Sequence, residues 1–412
     1  MVLFNREYLT KRVGEKLNKL NQFLLGLWIV SLSVLVFVVM TVDNGQEILA
    51  VEGQMNDLSE SVVVKKEISN EVVPPPTIEP EPMPEPELEP KPVVTKETMR
   101  LAMTGDVLLH YRLAQYKDFT SSFAAVAPLM QSYDYLLANQ ESLPVGNKYA
   151  LSGYPQFSSP PHILRDLQNA GVDMVTVANN HTVDKGEGGV RTLFENLEAQ
   201  QMPYVGAYKN QEDKNTHRII EVGSIKIGML AYTYGTNGLY LPKGSPFSVN
   251  YIDEAKMKVD IEALRPEVDV LVVSMHWGSE YVYEENDYQR TYAKLLNEAG
   301  VDIVFGTHPH VLQPYEKWIS ASQHETHVFY SLGNYFSTIL TVPNSMIGGI
   351  ASMEISKEGD VVTLRSPRLD ATSVLLDADG VYRVYPLKDV EARSVKSLGW
   401  VRKVVGPDVN VY

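Results

Sequence analysis

Five apolar, strand-like runs in this chain each give way to a side chain able to hold a metal, and helical patterns lie between most of them. The runs end at Met103-Thr104, Leu136-Leu137, Met174-Val175-Thr176-Val177, Val270-Leu271-Val272-Val273 and Ile303-Val304-Phe305. Asp106, Glu141, Asn180-His181, His276 and His308-Pro309-His310 follow them in that order. Helical patterns cover His162 to Ala170, Gly189 to Gln200, Ile252 to Leu264 and Tyr288 to Ala299. Two of these helices close on the same phrase, Ala170-Gly171-Val172-Asp173 and Ala299-Gly300-Val301-Asp302, where glycine suits the left-handed position after a helix. The alternation predicts an α/β fold with strands buried on both faces. Ligands in such sheets collect at the carboxyl ends of the strands, so the five segments are expected to converge on one rim. After about His327 strand signals crowd together without a convincing helix, which predicts a mixed sheet or a second sheet packed on the first.

The N-terminal part reads differently. Residues 1–20 carry five bases and two acids, and the 23 residues from Leu20 to Val42 carry no charge. A run of that length can span a bilayer as a helix. The bases before it and Asp43, Glu47 and Glu52 after it predict a cytoplasmic N-terminus with everything downstream outside the cell. Its length, with no Ala-x-Ala-like site behind it, favours an uncleaved single-pass anchor over a signal peptide. From Asp43 to Met99, 13 acids stand against 4 lysines, and Pro74 to Pro92 is mostly proline and glutamate. Such a segment has too little apolar surface to offset its chain entropy. The expected organisation is a cytoplasmic segment 1–19, a membrane anchor 20–42, a disordered stalk-like linker 43–98, a main domain 99–370 and a C-terminal extension 371–412, the last holding packing strands or a partner surface.

Composition narrows the chemistry. Cysteine is absent, which excludes disulfides, thiolate ligands and a cysteine nucleophile. A net charge of -15 argues against a general nucleic-acid binder. Carboxylates, an amide oxygen and neutral imidazoles suit a divalent ion such as Mn, Fe, Zn or Mg, and a pair of ions would clamp a phosphate-like group. His162, His217, His324 and His327 have no evident ligand partner in sequence and read as hydrogen-bonded structural residues.

Six ordered motifs carry a family resemblance. Gly105-Asp106-Val107-Leu108-Leu109, Asn139-Gln140-Glu141 and Ala178-Asn179-Asn180-His181 come first, the last followed by Asp184 and Gly186. His276-Trp277-Gly278-Ser279-Glu280-Tyr281, Gly306-Thr307-His308-Pro309-His310 and Tyr330-Ser331-Leu332-Gly333-Asn334-Tyr335 complete the series. Over roughly residues 100–350 the chain resembles the CapA family of poly-γ-glutamate capsule biosynthesis proteins. That resemblance implies a calcineurin-like metallophosphatase fold, a β-sandwich flanked by helices. It also implies roles: Asp106 and His310 on a first metal, Glu141 as bridging carboxylate, and Asn180, His276 and His308 on a second. His181 would be the acid that protonates a leaving group, with Asp184 orienting it. Two positions depart from the metallophosphatase pattern. Leu108 stands where those enzymes place a histidine, leaving His110 as a substitute ligand, and Glu141 replaces an aspartate. Arg112, Trp277, Glu280, Tyr281 and Asn334 are the expected pocket-lining, substrate-binding residues. The implied setting is a membrane-anchored extracellular protein that works with membrane subunits of a poly-γ-glutamate synthase complex and with the anionic polymer. A metal-dependent phosphoesterase or amide hydrolase on another envelope substrate, and a non-catalytic scaffold, are the alternatives.

Overall fold

A computed structural model describes residues 61–66 and 96–412. The expected cytoplasmic segment, the anchor 20–42 and most of the linker lie outside the described residues. Among the described residues no helix is long and apolar enough to cross a membrane.

Two sheets face each other, and the period-2 alternation of the strands shows which side chains lie between them. In the strand Lys96–Leu108, Leu101 and Met103 enter a core shared with Ile227 and Met229 of the other sheet, while Ala102 points the opposite way. Tyr135 and Leu137 enter that shared core, and Leu136 and Ala138 turn outward. In Val270–His276 of the other sheet, Val270 and Val272 point in, and Leu271 and Val273 point out. Each outward face is covered by helices. His162–Ala170 and Gly186–Ala199 lay Leu164, Leu167, Leu193 and Leu197 on one sheet. Glu254–Leu264 and Asp287–Glu298 lay Met257, Ile261 and Leu296 on the other. The result is a four-layer helix–sheet–sheet–helix sandwich, the mixed α/β architecture that the resemblance implies.

The first sheet runs from Tyr382–Pro386 through Val361–Leu376, Ile347–Glu358, Lys96–Leu108, Tyr135–Gln140 and Met174–Thr176 to Tyr204–Val205. The second runs from Ser61–Lys66 through His217–Val222, Ile225–Thr233, Val270–His276, Ile303–Thr307 and Glu325–Phe329 to Tyr315–Ile319. The strands that precede the candidate ligands are parallel and end in step. Asp106 pairs with Asn139 and Asn139 with Thr176, while Thr233 pairs with His276 and His276 with Thr307. Both sheets therefore discharge their loops at one edge of the sandwich. Gly171 and Gly300 close their helices at φ 121° and 84°, as the sequence predicts.

Three glycines form the seam under that edge. A Cβ on Gly105 would stand 1.9 Å from the Gly333 carbonyl oxygen, one on Gly306 1.9 Å from that of Tyr330, and one on Gly348 2.0 Å from that of Asn334. Backbone packs on backbone there, at a distance only glycine allows.

Some expectations need correction. Ser61–Lys66, inside the expected disordered linker, forms a parallel strand beside His217–Val222. The main domain begins by Lys96 rather than 99, because Lys96 already pairs with Glu358. Val361–Leu376 runs straight through the expected boundary at 370/371, and Tyr382–Pro386 and Asn410–Val411 pair with it, so the tail completes the sheet. The tail is not free of helix either. Leu398–Val405 is helical, capped by Ser397, whose side chain accepts from the Trp400 N–H, and it buries Val401 and Val405.

Candidate metal centre

Asp106, at the end of its strand, is fully buried and joins the two sheets. Its Oδ1 accepts from Asn139 Nδ2 at 2.8 Å. Its Oδ2 accepts from the His308 backbone N–H at 3.2 Å and lies 3.2 Å from His310 Nδ1. Asn139 is fixed in turn by Thr176 and Asn179, which donate to its Oδ1. His276 ends its strand between two partners, Thr307 Oγ1 at 2.9 Å from Nδ1 and Asn180 Oδ1 at 2.9 Å from Nε2. The threonine orients the ring, so Nε2 and the Asn180 oxygen, both metal-ligating atoms, face one point. Glu141 Oε1 lies 3.7 Å from His276 Nε2 and 3.8 Å from His310 Nε2. The geometry thus brings together Asp106, Glu141, Asn180, His276, His308 and His310.

Glu141, His308 and His310 form a buried group whose ligand atoms lie within 4.8 Å of one another, able to hold a metal. Both carboxylate oxygens of Glu141, and Nδ1 of His308, are buried with no hydrogen-bond partner. Buried polar atoms are nearly always paired, and an unpaired buried carboxylate is especially costly. A cation is the partner this set of donor atoms fits. Burial first, and then the nearby Asp106, push the Glu141 carboxyl well above the usual carboxylate range. Burial and neighbouring imidazoles hold His276 and His308 well below the ordinary histidine value, which keeps them neutral as ligation requires. Burial also pulls on His310, but Glu141 and Asp106 outweigh it and raise that ring to about 9.

His308 and His310 sit at φ 96° and 58°, and Tyr281 and Asn237 at 63° and 51°. Non-glycine residues rarely adopt this region, and each costs about 1–3 kcal/mol that surrounding structure must offset. The strain is concentrated around the centre.

His181 and Asp184 form a pair beside it. His181 Nδ1 is 2.8 Å from Asp184 Oδ2, which also accepts from the Phe157 N–H at 2.6 Å. A carboxylate only accepts, so Nδ1 carries the hydrogen and Nε2 is left for other partners.

The remaining sequence candidates divide. Glu280 and Tyr281 are exposed, and the Tyr281 ring lies 5.9 Å from His310. Trp277 is a correction: it is wholly buried, its Nε1 donates to the Tyr330 carbonyl, and it packs in the helix-side core, so it cannot line a pocket. Asn334 is also buried; its Oδ1 is 3.0 Å from His310 Nδ1, so it steadies a candidate ligand rather than facing a substrate. Leu108 packs with Phe157 and Ile339. His110 is not one of the Glu141, His308 and His310 group but lies near enough to feel His310, its ring edge-on to Phe157 at 5.4 Å and its Nδ1 3.4 Å from Ser337 Oγ. Arg112 lines an outer cleft with His110. His162, His217, His324 and His327 each have a local partner in Tyr116, Glu267, Val301 and Tyr315.

Two residues at the centre carry no ligand signature in sequence. The Tyr234 ring lies 4.6 Å from that of His308, and Asn237 Oδ1 accepts from Asn180 Nδ2 at 3.4 Å. The register would have found them. Thr233 pairs with His276, so the loop that follows it must overhang the same rim.

Comparison with known proteins agrees with the motifs. The chain is 29% identical over 250 residues to the PGA biosynthesis protein CapA of Bacillus subtilis (strain 168), covering 58% of this chain and 63% of that one. It is 28% identical over 251 residues to the capsule biosynthesis protein CapA of Bacillus anthracis, covering 58% and 60%. The chain thus spans less than two thirds of the length of these relatives. Among solved structures, the NAD nucleotidase NadN of Haemophilus influenzae superposes with a TM-score of 0.45 at 10% identity, over 77% of this chain and 64% of that one. The calcineurin-like phosphoesterase YfkN of Bacillus subtilis superposes with a TM-score of 0.39 at 17% identity, over 75% and 96%. Scores of this size carry no argument about chemistry. The family described as bacterial capsule synthesis protein PGA_cap matches residues 100–338, more than half of the chain and the whole span of the candidate ligands, and this protein belongs to it.

Proposed function

We propose that this protein serves poly-γ-glutamate capsule synthesis and export from the outer face of the cell membrane, held there by residues 20–42 and working with membrane subunits of a synthase complex. In this reading Asp106, Glu141, Asn180, His276, His308 and His310 hold one or two divalent ions, Mn, Fe, Zn or Mg. The observation that carries it is the pair of buried Glu141 oxygens with no hydrogen-bond partner between His276 and His310. When bound, such an ion supplies Lewis-acid polarisation and neutralises negative charge. The rest falls to the chain. His181, oriented by Asp184, gives a proton to a leaving oxygen or nitrogen from Nε2. Tyr234 and Tyr281 flank the centre and limit water, while Glu280 and Arg112 stand where substrate approaches. The polymer is thereby trimmed or released by hydrolysis as it emerges.

The test pairs metal analysis of the purified full-length protein with extracellular polymer in cells carrying wild type, His308→Ala or His181→Ala. Expected are stoichiometric metal in wild type, its loss in His308→Ala, and altered polymer with both variants. Normal polymer from both variants would leave a scaffold role; altered polymer without any bound metal would refute the centre.

A further inference from the structure

Beside the candidate centre, on the far side of Phe157, lies an open cleft of about 730 Å³ whose lining includes His110, Tyr111, Arg112, Tyr154, Lys185 and Leu340. Phe157 joins the two places physically, its ring 5.4 Å from that of His110 and 4.6 Å from that of His181. The charge of the cleft opposes that of the molecule. The protein carries a net -15, yet the described residues that line the cleft include Arg112 and Lys185 and no aspartate or glutamate. By contrast, the cleft near Arg218 mixes Lys209 and Arg218 with Glu198, Glu212 and Asp213. Arg218 is consumed there by Asp213 and by backbone carbonyls. Arg112 is exposed, with its guanidinium over the Tyr382 ring at 5.0 Å, and Lys185 donates to the Gln156 carbonyl and, among the described residues, pairs with no carboxylate, so both cations remain open to a ligand. Apolar surface accompanies them: Tyr154 is 76% and Tyr111 57% exposed.

We infer that this cleft is a second binding site, a subsite for a linear polycarboxylate whose chain lies on the surface above the wholly buried Phe157 and leads toward the metal centre. Two cations set among tyrosine and leucine faces match a polymer that alternates carboxylates with methylene segments, since the methylenes cover the rings while the carboxylates meet Arg112 and Lys185. A polyphosphate would satisfy the cations but leave the apolar faces uncovered. The inference rests on the capsule reading and names where the polymer is gripped. It needs no metal in the cleft.

The test is direct binding of a γ-linked glutamate decamer to the full-length protein in EDTA, with an inorganic polyphosphate of equal charge as comparison. Arg112→Glu and Lys185→Glu are each expected to weaken decamer binding by about tenfold, and Tyr154→Ser by about threefold, with circular dichroism unchanged. Polyphosphate is expected to bind more weakly than the decamer. Decamer affinity unchanged in both charge reversals, or polyphosphate binding equal to the decamer, would overturn the inference. Its failure is distinct from failure of the functional reading. Cleft variants that bind like wild type sink the subsite and leave the centre standing, whereas normal polymer from His308→Ala and His181→Ala sinks the centre whatever the cleft binds.

Discussion

Asp106 Oδ2 accepts from the backbone of His308 and faces the ring of His310, so one carboxylate of the first sheet fixes both histidines of the second. The centre is therefore a joint between sheets rather than a cluster on one. Asp106→Asn keeps the shape but removes the charge opposite His310. It is expected to reduce metal occupancy at least about tenfold, because Asp106 is both one of the proposed ligands and the support of His308 and His310. Elemental analysis of the purified variant after dialysis checks this.

Glu141→Gln should matter to stability chiefly when metal is present. In EDTA burial already favours the neutral form of the unpartnered wild-type carboxyl, so the neutral amide of the same shape changes stability by less than about 1 kcal/mol. With metal present the same change removes a ligand and lowers the melting temperature. Thermal unfolding in both conditions decides it; a destabilised variant in EDTA would mean that the carboxylate is already satisfied without an ion.

Burial holds His327 down at about 4, whereas an unfolded histidine titrates near 6.5. Between those values the unfolded chain takes up a proton that the folded chain refuses, so this residue's contribution is complete above about pH 6.5 and is lost as the pH falls toward 4, with a slope approaching about 1.4 kcal/mol per pH unit. His327→Gln should flatten the acid limb of the stability curve by about one proton. Urea unfolding of both proteins at pH 7 and pH 4.5 gives the comparison.

Trp400, on the C-terminal helix, meets Tyr283 edge-to-face at 5.7 Å, and the Tyr283 hydroxyl accepts from Asn344 Nδ2 at 2.6 Å. Tyr283 belongs to the loop that carries Glu280 and Tyr281 over the centre. Trp400→Ala is expected to cost about 1–3 kcal/mol, the ring being only partly buried, and to speed limited proteolysis at that loop ahead of other sites. Uniform cleavage along the chain would contradict this coupling.

The rim was readable because strand exits leave a local mark. An apolar run followed by Asp106, Asn180-His181 or His276 states both element and position, and parallel pairing brings those exits into line. What escaped depends on distant partners. Trp277 sits in the motif next to His276, yet alternation along the strand sends it into the opposite core. Tyr234 and Asn237 reach the centre only through the register of Thr233 with His276. Ser61–Lys66 was hidden by its acidic surroundings, although Val62, Val63 and Val64 favour a strand. The helix Leu398–Val405 mixes valines with Arg402 and Lys403, and only the sheet it packs on separates helix from strand there.

The glycine seam sets which parts of this molecule can be altered by single steps. At Gly105, Gly306 and Gly348 even one methyl group would collide with a carbonyl oxygen, so every single substitution there costs the joint on which the metal ligands stand. The loops above it meet no such collision: Gly235 has open space around it, and Gly238 is held to glycine by its φ of 74° rather than by any neighbour. A selection for a new substrate should therefore collect its changes in the loops around Tyr234 and Tyr281 and in the cleft walls, and leave the floor untouched.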